Sequence, residues 1–193
     1  MKNKINKTMF NRLSITIISL LILYVCCSAQ SEIKTGLPSN DYLNNIKDEM
    51  DKKWPENRTI NLVFHGHSVP AGYYETPIVN SFESYPFLVL RKLKNIYPNA
   101  VINVIVTAIG GENSVQGAKR FSEEVLTHNP DMIFIDYALN DINISLDKTY
   151  TAWNDMISKA IEAGVKLVLL TPTPSEFEDI MLDTTNLLFI HNR

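Results

Sequence analysis

This 193-residue sequence is poor in cysteine: its two cysteines, Cys26 and Cys27, are adjacent and lie near the N-terminus. No disulfide framework can form beyond that point, so a hydrophobic core has to stabilise the rest of the chain. The sequence also lacks low-complexity tracts and repeats of fixed period, which argues against a disordered or a repeat protein. Its length suits one domain with a sizeable core and is too short for two comfortable ones.

A long membrane-spanning segment is lacking as well. The extended apolar run over residues 13–25 is shorter than the ~20 residues that a transmembrane helix needs. Three lysines and Arg12 precede this run, and Cys27-Ser28-Ala29 follows it. This layout is typical of a secretory signal peptide, so we expect residues 1–29 to be removed on export to the periplasm or the extracellular space. An uncleaved anchor and lipidation at the cysteines are the alternatives.

Basic residues are in the minority outside that leader. The sequence has 18 lysines and arginines, of which four lie in residues 1–29, and this leaves 14 basic against 21 acidic residues, a net charge of −7. Such a balance disfavours nucleic acid and anionic membranes as partners of the mature domain. We therefore expect no nucleic-acid partner, and no membrane partner apart from an N-terminal anchor.

Beyond residue 58 the sequence alternates between two kinds of segment. Short apolar runs, rich in β-branched residues and bounded by turn residues, are typical of buried strands and cover residues 60–64, 101–106, 132–135 and 166–170. Stretches with helical spacing lie between them, over residues 85–96, 115–125 and 150–161. This alternation predicts a three-layer α/β/α domain with a flavodoxin-like, doubly wound parallel sheet.

The predicted domain covers residues 59–193, and residues 30–58 are interpreted as a linker with one short helix near residues 41–52. Four strands are one fewer than the common flavodoxin-like sheet has. Residues 184–193 resemble the start of a helix that stops. We therefore expect a domain that is incomplete at its C-terminus and lacks its last strand.

Three polar or flexible loops follow successive strands. Ser68 follows the first strand, Gly111 the second and Asn140 the third. In a sheet of this kind, ligands bind beyond the carboxyl ends of the strands, where the strand order reverses. If the strand order is 2-1-3-4, the first strand lies between the other two, and the three residues converge on one place.

These residues suit the hydrolysis of an ester. A serine hydroxyl that attacks an ester carbonyl generates an oxyanion, which needs preorganised hydrogen-bond donors. The backbone N–H groups of Ser68 and Gly111 and the side-chain amide of Asn140 would supply three. Each residue also has an ordinary structural explanation: a helix-capping serine, a turn glycine and an Asx turn. Their convergence favours a nucleophile with an oxyanion hole.

The same loops resemble three of the four sequence blocks of the SGNH (GDSL-type) hydrolases. The first loop reads Gly66-His67-Ser68, where the family usually has Gly-Asp-Ser. The second block matches residues 110–114 with Gly111 as the donor, and the third matches Asn140-Asp141. The Thr-Pro-Thr-Pro loop at residues 171–174 is also similar to sequences common in the family.

The resemblance implies an exported serine esterase that cleaves small acyl esters through an acyl-enzyme on Ser68. Acetyl groups on carbohydrate are the implied substrates, and neither a cofactor nor a metal is implied. Gly66, His67 and Asp141 take supporting positions. Tyr73 and Tyr74 are candidates for lining the substrate pocket, whereas Trp153, at helical spacing, is expected in the core.

The fourth block of the family, an Asp-x-x-His pair whose histidine acts as the general base, is not found in residues 1–193. The last histidine, His191, follows Asp183 by eight residues, which is the wrong spacing. The chain as written is therefore expected to be nearly inactive, because loss of a triad base costs orders of magnitude in rate. A truncated or degenerate domain that binds a glycan or a partner without turnover is the alternative.

Two histidines at the end of the first strand allow another chemistry. His65 and His67 suit a metal-dependent hydrolase, although neither His128 nor His191 lies at a strand end to complete a site. This metal site is the weaker alternative. We also expect His67 not to act as the base for Ser68, since neighbouring side chains diverge from a strand or a tight turn.

Overall fold

The computed structural model describes residues 41–171. The expected leader over residues 1–29, the linker up to residue 40, and residues 172–193 with Asp183 and His191 lie outside the described residues, and so does the question of a missing last strand. Within the part that is described, no helix is long and apolar enough to cross a bilayer.

Helices and strands alternate along the described residues. The helices are α1 (Asn44–Asp51), α2 (Ser68–Ala71), α3 (Tyr85–Ile96), α4 (Ser114–Glu124) and α5 (Leu146–Glu162). The strands are β1 (Thr59–Gly66), β2 (Tyr73–Glu75), β3 (Ile78–Val79), β4 (Val101–Val106), β5 (Met132–Asp136) and β6 (Lys166–Leu169). Three short 3-10 helices cover Ser81–Glu83, Leu126–His128 and Asn140–Asn143.

The central sheet has the strand order β4-β1-β5-β6, and all of its neighbouring strands are parallel. This is the order 2-1-3-4 on which the convergence of the three loops depends. The parallel α/β fold predicted from the alternation is confirmed. The antiparallel hairpin β2-β3, which directly follows α2, was not predicted.

Helices cover both faces of the sheet. On β1, Ile60, Leu62 and Phe64 face the layer of α1 and α3, whereas Val63 faces the layer of α4 and α5. A strand buried on both sides has to be nearly apolar throughout, and each fully buried side chain contributes ~1.5–3 kcal/mol. Phe64 stacks on Phe134 of β5 with ring centroids 4.3 Å apart. The central strand of the site is therefore rigidly held.

Helix α1 lies in the segment interpreted as a linker with one short helix. Its residues Ile46 and Met50 are buried and belong to the same core cluster as Ile60 of β1. The short helix is confirmed, and its apolar side packs against the sheet.

Candidate active site

Ser68 is the first residue of α2, which begins where β1 ends. Backbone bonds extend the sheet on both sides of this turn: Ile109 N–H donates to Gly66 O at 3.0 Å from the β4 side, and His67 N–H donates to Asp136 O at 3.2 Å from the β5 side. The Ser68 turn therefore lies between the loops that follow β4 and β5, which carry the other two candidate residues.

Gly66 permits the close approach of β1 and β5 at this point. A Cβ at this position would lie 2.5 Å from Asp136 O and 2.9 Å from Pro70 Cγ. Neither contact can be accommodated without moving the backbone. The glycine that precedes the Gly-His-Ser turn is thus required by packing.

At position 111 the backbone conformation requires a glycine, and steric contacts do not. Its φ is +79°, a left-handed conformation that costs an L-residue with a side chain roughly 1–2 kcal/mol. A Cβ at Gly111 would meet no atom within 4 Å. Open space therefore remains beside the backbone group that sequence reasoning assigned as an oxyanion donor.

Asn140 begins the 3-10 helix that follows β5. Its Nδ2 donates to Glu112 O at 2.7 Å, next to Gly111. A side-chain amide carries two donor hydrogens, and this bond uses one of them. The bond joins the loop after β5 to the loop after β4 and brings the two candidate donors to neighbouring positions.

Asp141 has a structural role in this arrangement. Its buried carboxylate accepts from Ser114 N–H at 2.8 Å and from Trp153 Nε1–H at 2.8 Å. These bonds join the Asn140 turn to the start of α4 and to the middle of α5. Trp153 is buried in the core, as expected.

A buried polar network beneath the Gly111 loop was missed by sequence reasoning. The carboxylate of Glu112 accepts from Tyr137 OH at 2.7 Å and from Arg120 Nε at 2.8 Å, and it forms a salt bridge with Arg120. Bonds to a charged acceptor in a buried site are strong. Burial, reinforced by the bond to Glu112, raises the pKa of Tyr137, so its hydroxyl stays a donor. The network fixes the loop that carries Gly111.

His65 belongs to the same network. Its Nε2 lies 3.2 Å from Gly117 O and 3.1 Å from Tyr137 OH, and its Nδ1 lies 2.9 Å from Thr107 Oγ1. Burial, together with the positive charge of Arg120, lowers the pKa of His65 from 6.5 to about 4. The ring is therefore neutral at physiological pH, with both nitrogens engaged.

The contacts of His65 and of His67 argue against the alternative of a metal site at these two residues. The His65 ring faces Thr107 and Gly117, whereas Nε2 of His67 faces the carboxylate of Asp136. Among residues 41–171, no group of three or more His, Cys, Asp or Glu is arranged to hold a metal ion.

The lowered pKa of His65 predicts acid-sensitive stability. Between pH 6.5 and about 4 the unfolded chain binds a proton at His65 that the folded chain does not, so the free energy of unfolding rises with pH in this window. Acidification from pH 6.5 to 4 should therefore remove about 3 kcal/mol of stability through this residue. Urea denaturation at a series of pH values measures it.

His65→Gln should flatten that pH dependence, because glutamine does not titrate. His128→Gln is the matched control: His128 is exposed, and its replacement should leave the slope as it is in the parent chain. An identical slope in the parent chain and in His65→Gln would contradict the assignment.

The side chains of His67 and Ser68 do not diverge, so that part of the reasoning was wrong, whereas the expectation that His67 is not the base for Ser68 stays a prediction. The chain turns from β1 into α2 between these residues, and His67 is the N-cap of α2, its side chain accepting from Val69 N–H at 3.3 Å. The turn brings Nδ1 of His67 to 3.4 Å from Ser68 Oγ. On the other side of the ring, Nε2 lies 3.3 Å from Asp136 Oδ1.

Asp136 has a second partner on this side of the sheet. Tyr85 of α3 donates its hydroxyl to Asp136 Oδ2 at 3.2 Å. Burial and the negative charge of Asp136 raise the pKa of Tyr85, so that the hydroxyl remains a donor. Both oxygens of the carboxylate are thus engaged, and its orientation is set by two different elements.

A cavity of about 300 Å³ opens beside these groups, and His67, Val69, Tyr85, Asp136 and Leu139 are among the residues that line it. A larger groove of about 540 Å³ runs between α4 and α5, and none of the candidate residues lines it. His67 is the candidate residue that lines the smaller cavity, and Ser68, Gly111 and Asn140 are not among its lining residues, so this cavity adjoins the candidate site beside His67.

The β2-β3 hairpin places aromatic side chains near this site. A Cβ on Gly110 would lie 3.0 Å from the ring of Tyr73, so this ring packs directly against the Gly111 loop. Tyr74 and Phe82 are 88% and 78% exposed. The hairpin thus carries the anchored ring of Tyr73 and the solvent-facing ring of Tyr74, and the 3-10 helix that follows it carries the solvent-facing ring of Phe82.

Comparison with known proteins shows which families and structures this chain is similar to. The family model for the GDSL-like lipase/acylhydrolases matches residues 64–186, more than half of the chain. No curated protein sequence matches the chain.

Several solved structures share the fold. A two-domain esterase active on acetylated mannans has 21% identity and a TM-score of 0.57 over 66% of this chain, which spans only 33% of that esterase. An acetylxylan esterase from Geobacillus stearothermophilus has 21% identity and a TM-score of 0.57, covering 68% of this chain and 70% of that one. Catalytic mutants of that enzyme replace a serine and a histidine by alanine.

A lipase/acylhydrolase from Enterococcus faecalis is similar to the same degree, with 22% identity, a TM-score of 0.57 and 68% coverage of each chain. At these identities the likeness to solved structures shows the fold.

Proposed function

Because the chain belongs to the GDSL-like lipase/acylhydrolase family, as its resemblance to the SGNH hydrolases predicted, we propose that it hydrolyses small acyl esters through an acyl-enzyme on Ser68. The observation that carries this proposal is the position of the Ser68 turn at the end of β1, between the loops after β4 and β5. Those loops carry Gly111 and Asn140 and are joined by the bond from Asn140 to Glu112.

The proposed reaction has two steps. Ser68 Oγ attacks the acyl carbon, the carbonyl oxygen becomes an oxyanion, and the alcohol leaves with a proton. Water then attacks the acyl-enzyme, releases the acid and restores the hydroxyl of Ser68. The oxyanion of each step accepts from Ser68 N–H, Gly111 N–H and the Asn140 amide, which are preorganised by the buried network beneath them.

Acetyl groups on carbohydrate are the proposed substrates. Two of the similar structures are esterases of acetylated mannan and of acetylxylan. Exposed aromatic rings such as those of Tyr74 and Phe82 suit the apolar faces of sugar rings, and the hairpin that carries Tyr74 continues directly from the Ser68 helix. The alternative, a domain that binds a glycan without turnover, would bind it through the same exposed aromatic rings.

Export is proposed from the leader at residues 1–29. N-terminal sequencing of the chain recovered outside the cytoplasm of a producing bacterium should find Gln30 as the first residue. A recovered chain that retains Met1 or begins at a lipidated cysteine would support anchoring instead.

Covalent labelling tests the nucleophile. A fluorophosphonate ester reacts with activated serines and should add one phosphonyl group to the chain, located at Ser68 by peptide mass spectrometry. Ser68→Ala should take up no label, whereas Ser122→Ala, which changes an exposed serine of α4, should label like the parent. Labelling of Ser68→Ala at the parental rate would contradict the proposal.

The carbohydrate proposal predicts a selective effect of the two exposed aromatic rings, Tyr74 and Phe82. Tyr74→Ala and Phe82→Ala should each raise KM for acetylated xylan or mannan about fivefold, since a lost stacking contact is worth ~1 kcal/mol. Hydrolysis of p-nitrophenyl acetate should not change, because that substrate has no sugar. Tyr150→Ala, at an exposed tyrosine of α5, is the matched control. Unchanged KM on both polymers would point to a substrate without a glycan.

A further inference from the structure

We propose that His67 is a positioning residue for the Ser68 turn: its ring, held in place by Asp136, caps the short helix α2 that begins with the candidate nucleophile. The inference rests on the proposed role of Ser68 and deepens it, because it names a residue that acts through Ser68 and not on the substrate. The ring has one contact on each side. Val69 N–H donates to Nδ1 at 3.3 Å, and Nε2 lies 3.3 Å from Asp136 Oδ1. The ring therefore joins α2 to β5.

Helix α2 is too short to hold itself together. It consists of about one turn, and the N–H groups of the first turn of a helix have no acceptor within the helix. At its end, Gly72 adopts a left-handed conformation with a φ of +95° and donates to Ser68 O at 3.1 Å and to Val69 O at 3.0 Å. At its start, the His67 ring is the acceptor. The conformation of the nucleophile turn therefore depends on what holds its two ends.

The hydrogen bonds of His67 fix its tautomer. A backbone N–H can only donate, so Nδ1, which accepts from Val69, carries the lone pair of the ring, and Nε2 carries the proton. That proton faces the carboxylate of Asp136. Tyr85 donates to the other oxygen of this carboxylate at 3.2 Å, which keeps the carboxylate turned toward the ring. Asp136 thus selects the one tautomer in which the ring can cap α2.

Residue 67 is bound to β5 twice. Besides the contact of its ring, the backbone N–H of His67 donates to Asp136 O at 3.2 Å. The imidazole is 1% exposed, so little water competes for either nitrogen. Serine and asparagine, which are usual residues at the start of a helix, could cap α2 but are too short to reach the carboxylate as well. The imidazole serves both partners, and so it fixes the start of α2 relative to the sheet.

The same contacts define what the ring does to Ser68. Nδ1 of His67 lies 3.4 Å from Ser68 Oγ, but the single lone pair of this nitrogen is taken by Val69 N–H. The ring is therefore not placed to take the proton of Ser68, and it acts as a neighbour that limits the orientations of the hydroxyl. A turn held in this way presents the hydroxyl and the N–H of Ser68 in one geometry, as the proposed attack and oxyanion require.

Two substitutions of His67 separate the cap from the contact with Asp136. In His67→Asn the amide oxygen reaches the position of Nδ1 and can accept from Val69, whereas the contact with Asp136 is lost. In His67→Gln the amide nitrogen reaches the position of Nε2 and can donate to Asp136, whereas the cap is lost. Each variant leaves one polar partner unpaired at a buried place, so both should melt at a lower temperature than the parent. Stability alone therefore does not distinguish the two roles.

Fluorophosphonate labelling of the folded full chain distinguishes them. His67→Gln should label at Ser68 about tenfold more slowly than the parent, because the turn is no longer held in one geometry. His67→Asn should stay within about threefold of the parent, since an asparagine caps a helix well. On p-nitrophenyl acetate, the loss in His67→Gln should fall on kcat with KM nearly unchanged, because the cap acts on Ser68 and not on substrate binding. His128→Gln, at an exposed histidine, is the control and should label at the parental rate.

Hydrogen exchange at the Val69 amide is a measurement that does not depend on activity. Because this N–H is bonded to a buried nitrogen, it should exchange at least about tenfold more slowly in the parent and in His67→Asn than in an unfolded chain. In His67→Gln it should exchange faster than in the parent. Two-dimensional NMR of the isotopically labelled full chain measures it. If His67→Gln does not fold, the parent and His67→Asn carry this test.

The outcomes separate this inference from the proposed function. Equal labelling rates in His67→Asn and His67→Gln, or a slower rate in His67→Asn, would show that the cap does not position Ser68. A Val69 amide that exchanges in the parent as fast as in an unfolded chain would show the same. In each of these cases the nucleophile stands. Labelling of Ser68→Ala at the parental rate, or a parent that takes up no label, overturns the proposed function first.

Discussion

Ser68→Ala should lower kcat/KM for p-nitrophenyl acetate by about 10³-fold, to the residual rate that the oxyanion hole and substrate binding sustain without the nucleophile. Alanine removes the attacking oxygen and leaves the turn in place, because the backbone N–H of residue 68 and the bonds of Gly66 and His67 to the neighbouring strands do not involve the hydroxyl. The loss should therefore fall on the chemical step and not on folding. Release of p-nitrophenolate by the full chain, followed by absorbance, measures it.

Ser122→Ala controls for the loss of a serine as such and should retain parental activity. Equal melting temperatures of the two variants and the parent would show that the fold is preserved. Turnover of Ser68→Ala at the parental rate would mean that another group carries the reaction and that the chain does not use this serine.

Asn140→Ala should lower kcat about 10²- to 10³-fold with a smaller change in KM, the cost of removing one oxyanion donor. The amide stabilises charge that develops only in the transition state, so substrate binding is affected less. Part of the loss should come through the loop after β4, because the Asn140 amide also donates to Glu112 O. Steady-state kinetics on p-nitrophenyl acetate separate kcat from KM.

Asn140→Asp tests the sign of the charge at this place. A carboxylate of nearly the same shape would repel the oxyanion, so this variant should be at least as slow as Asn140→Ala. Asn143→Ala, in the same 3-10 helix and exposed, is the control and should be active. A parental kcat in Asn140→Ala would exclude the side chain from the oxyanion hole.

Most of the fold could be predicted from the sequence, because a strand that is buried on both faces consists of a continuous run of apolar residues. The run at residues 101–106 became β4 with the same bounds, and the run at residues 166–170 became β6 with one residue fewer. The β2-β3 hairpin left no such signal. Its strands have three and two residues and are exposed, so no burial pattern marks them.

The candidate residues Ser68, Gly111 and Asn140 could be found because each lies in the loop that follows a strand, and the ends of the strands can be predicted from the sequence. The network of Glu112, Tyr137 and Arg120 could not, since its members come from three elements and meet only through packing. The orientation of His67 was predicted wrongly for a related reason. Whether neighbouring side chains diverge depends on the backbone between them, and here a strand changes into a helix at that bond.

Glu112 also restricts the opening motion of the loop that follows β4. A loop beside a binding site is ordinarily among the first segments to open in native-state fluctuations. The loop after β4 is held differently, because the backbone of Glu112 accepts from Asn140 while its carboxylate is held by Tyr137 and Arg120 inside the core. Opening the loop requires breaking those buried bonds. The hydrogen-bonded amides of Ile109 and Glu112 should therefore exchange with solvent more slowly than the amides of an ordinary surface loop, and the loop keeps its shape while these buried bonds hold.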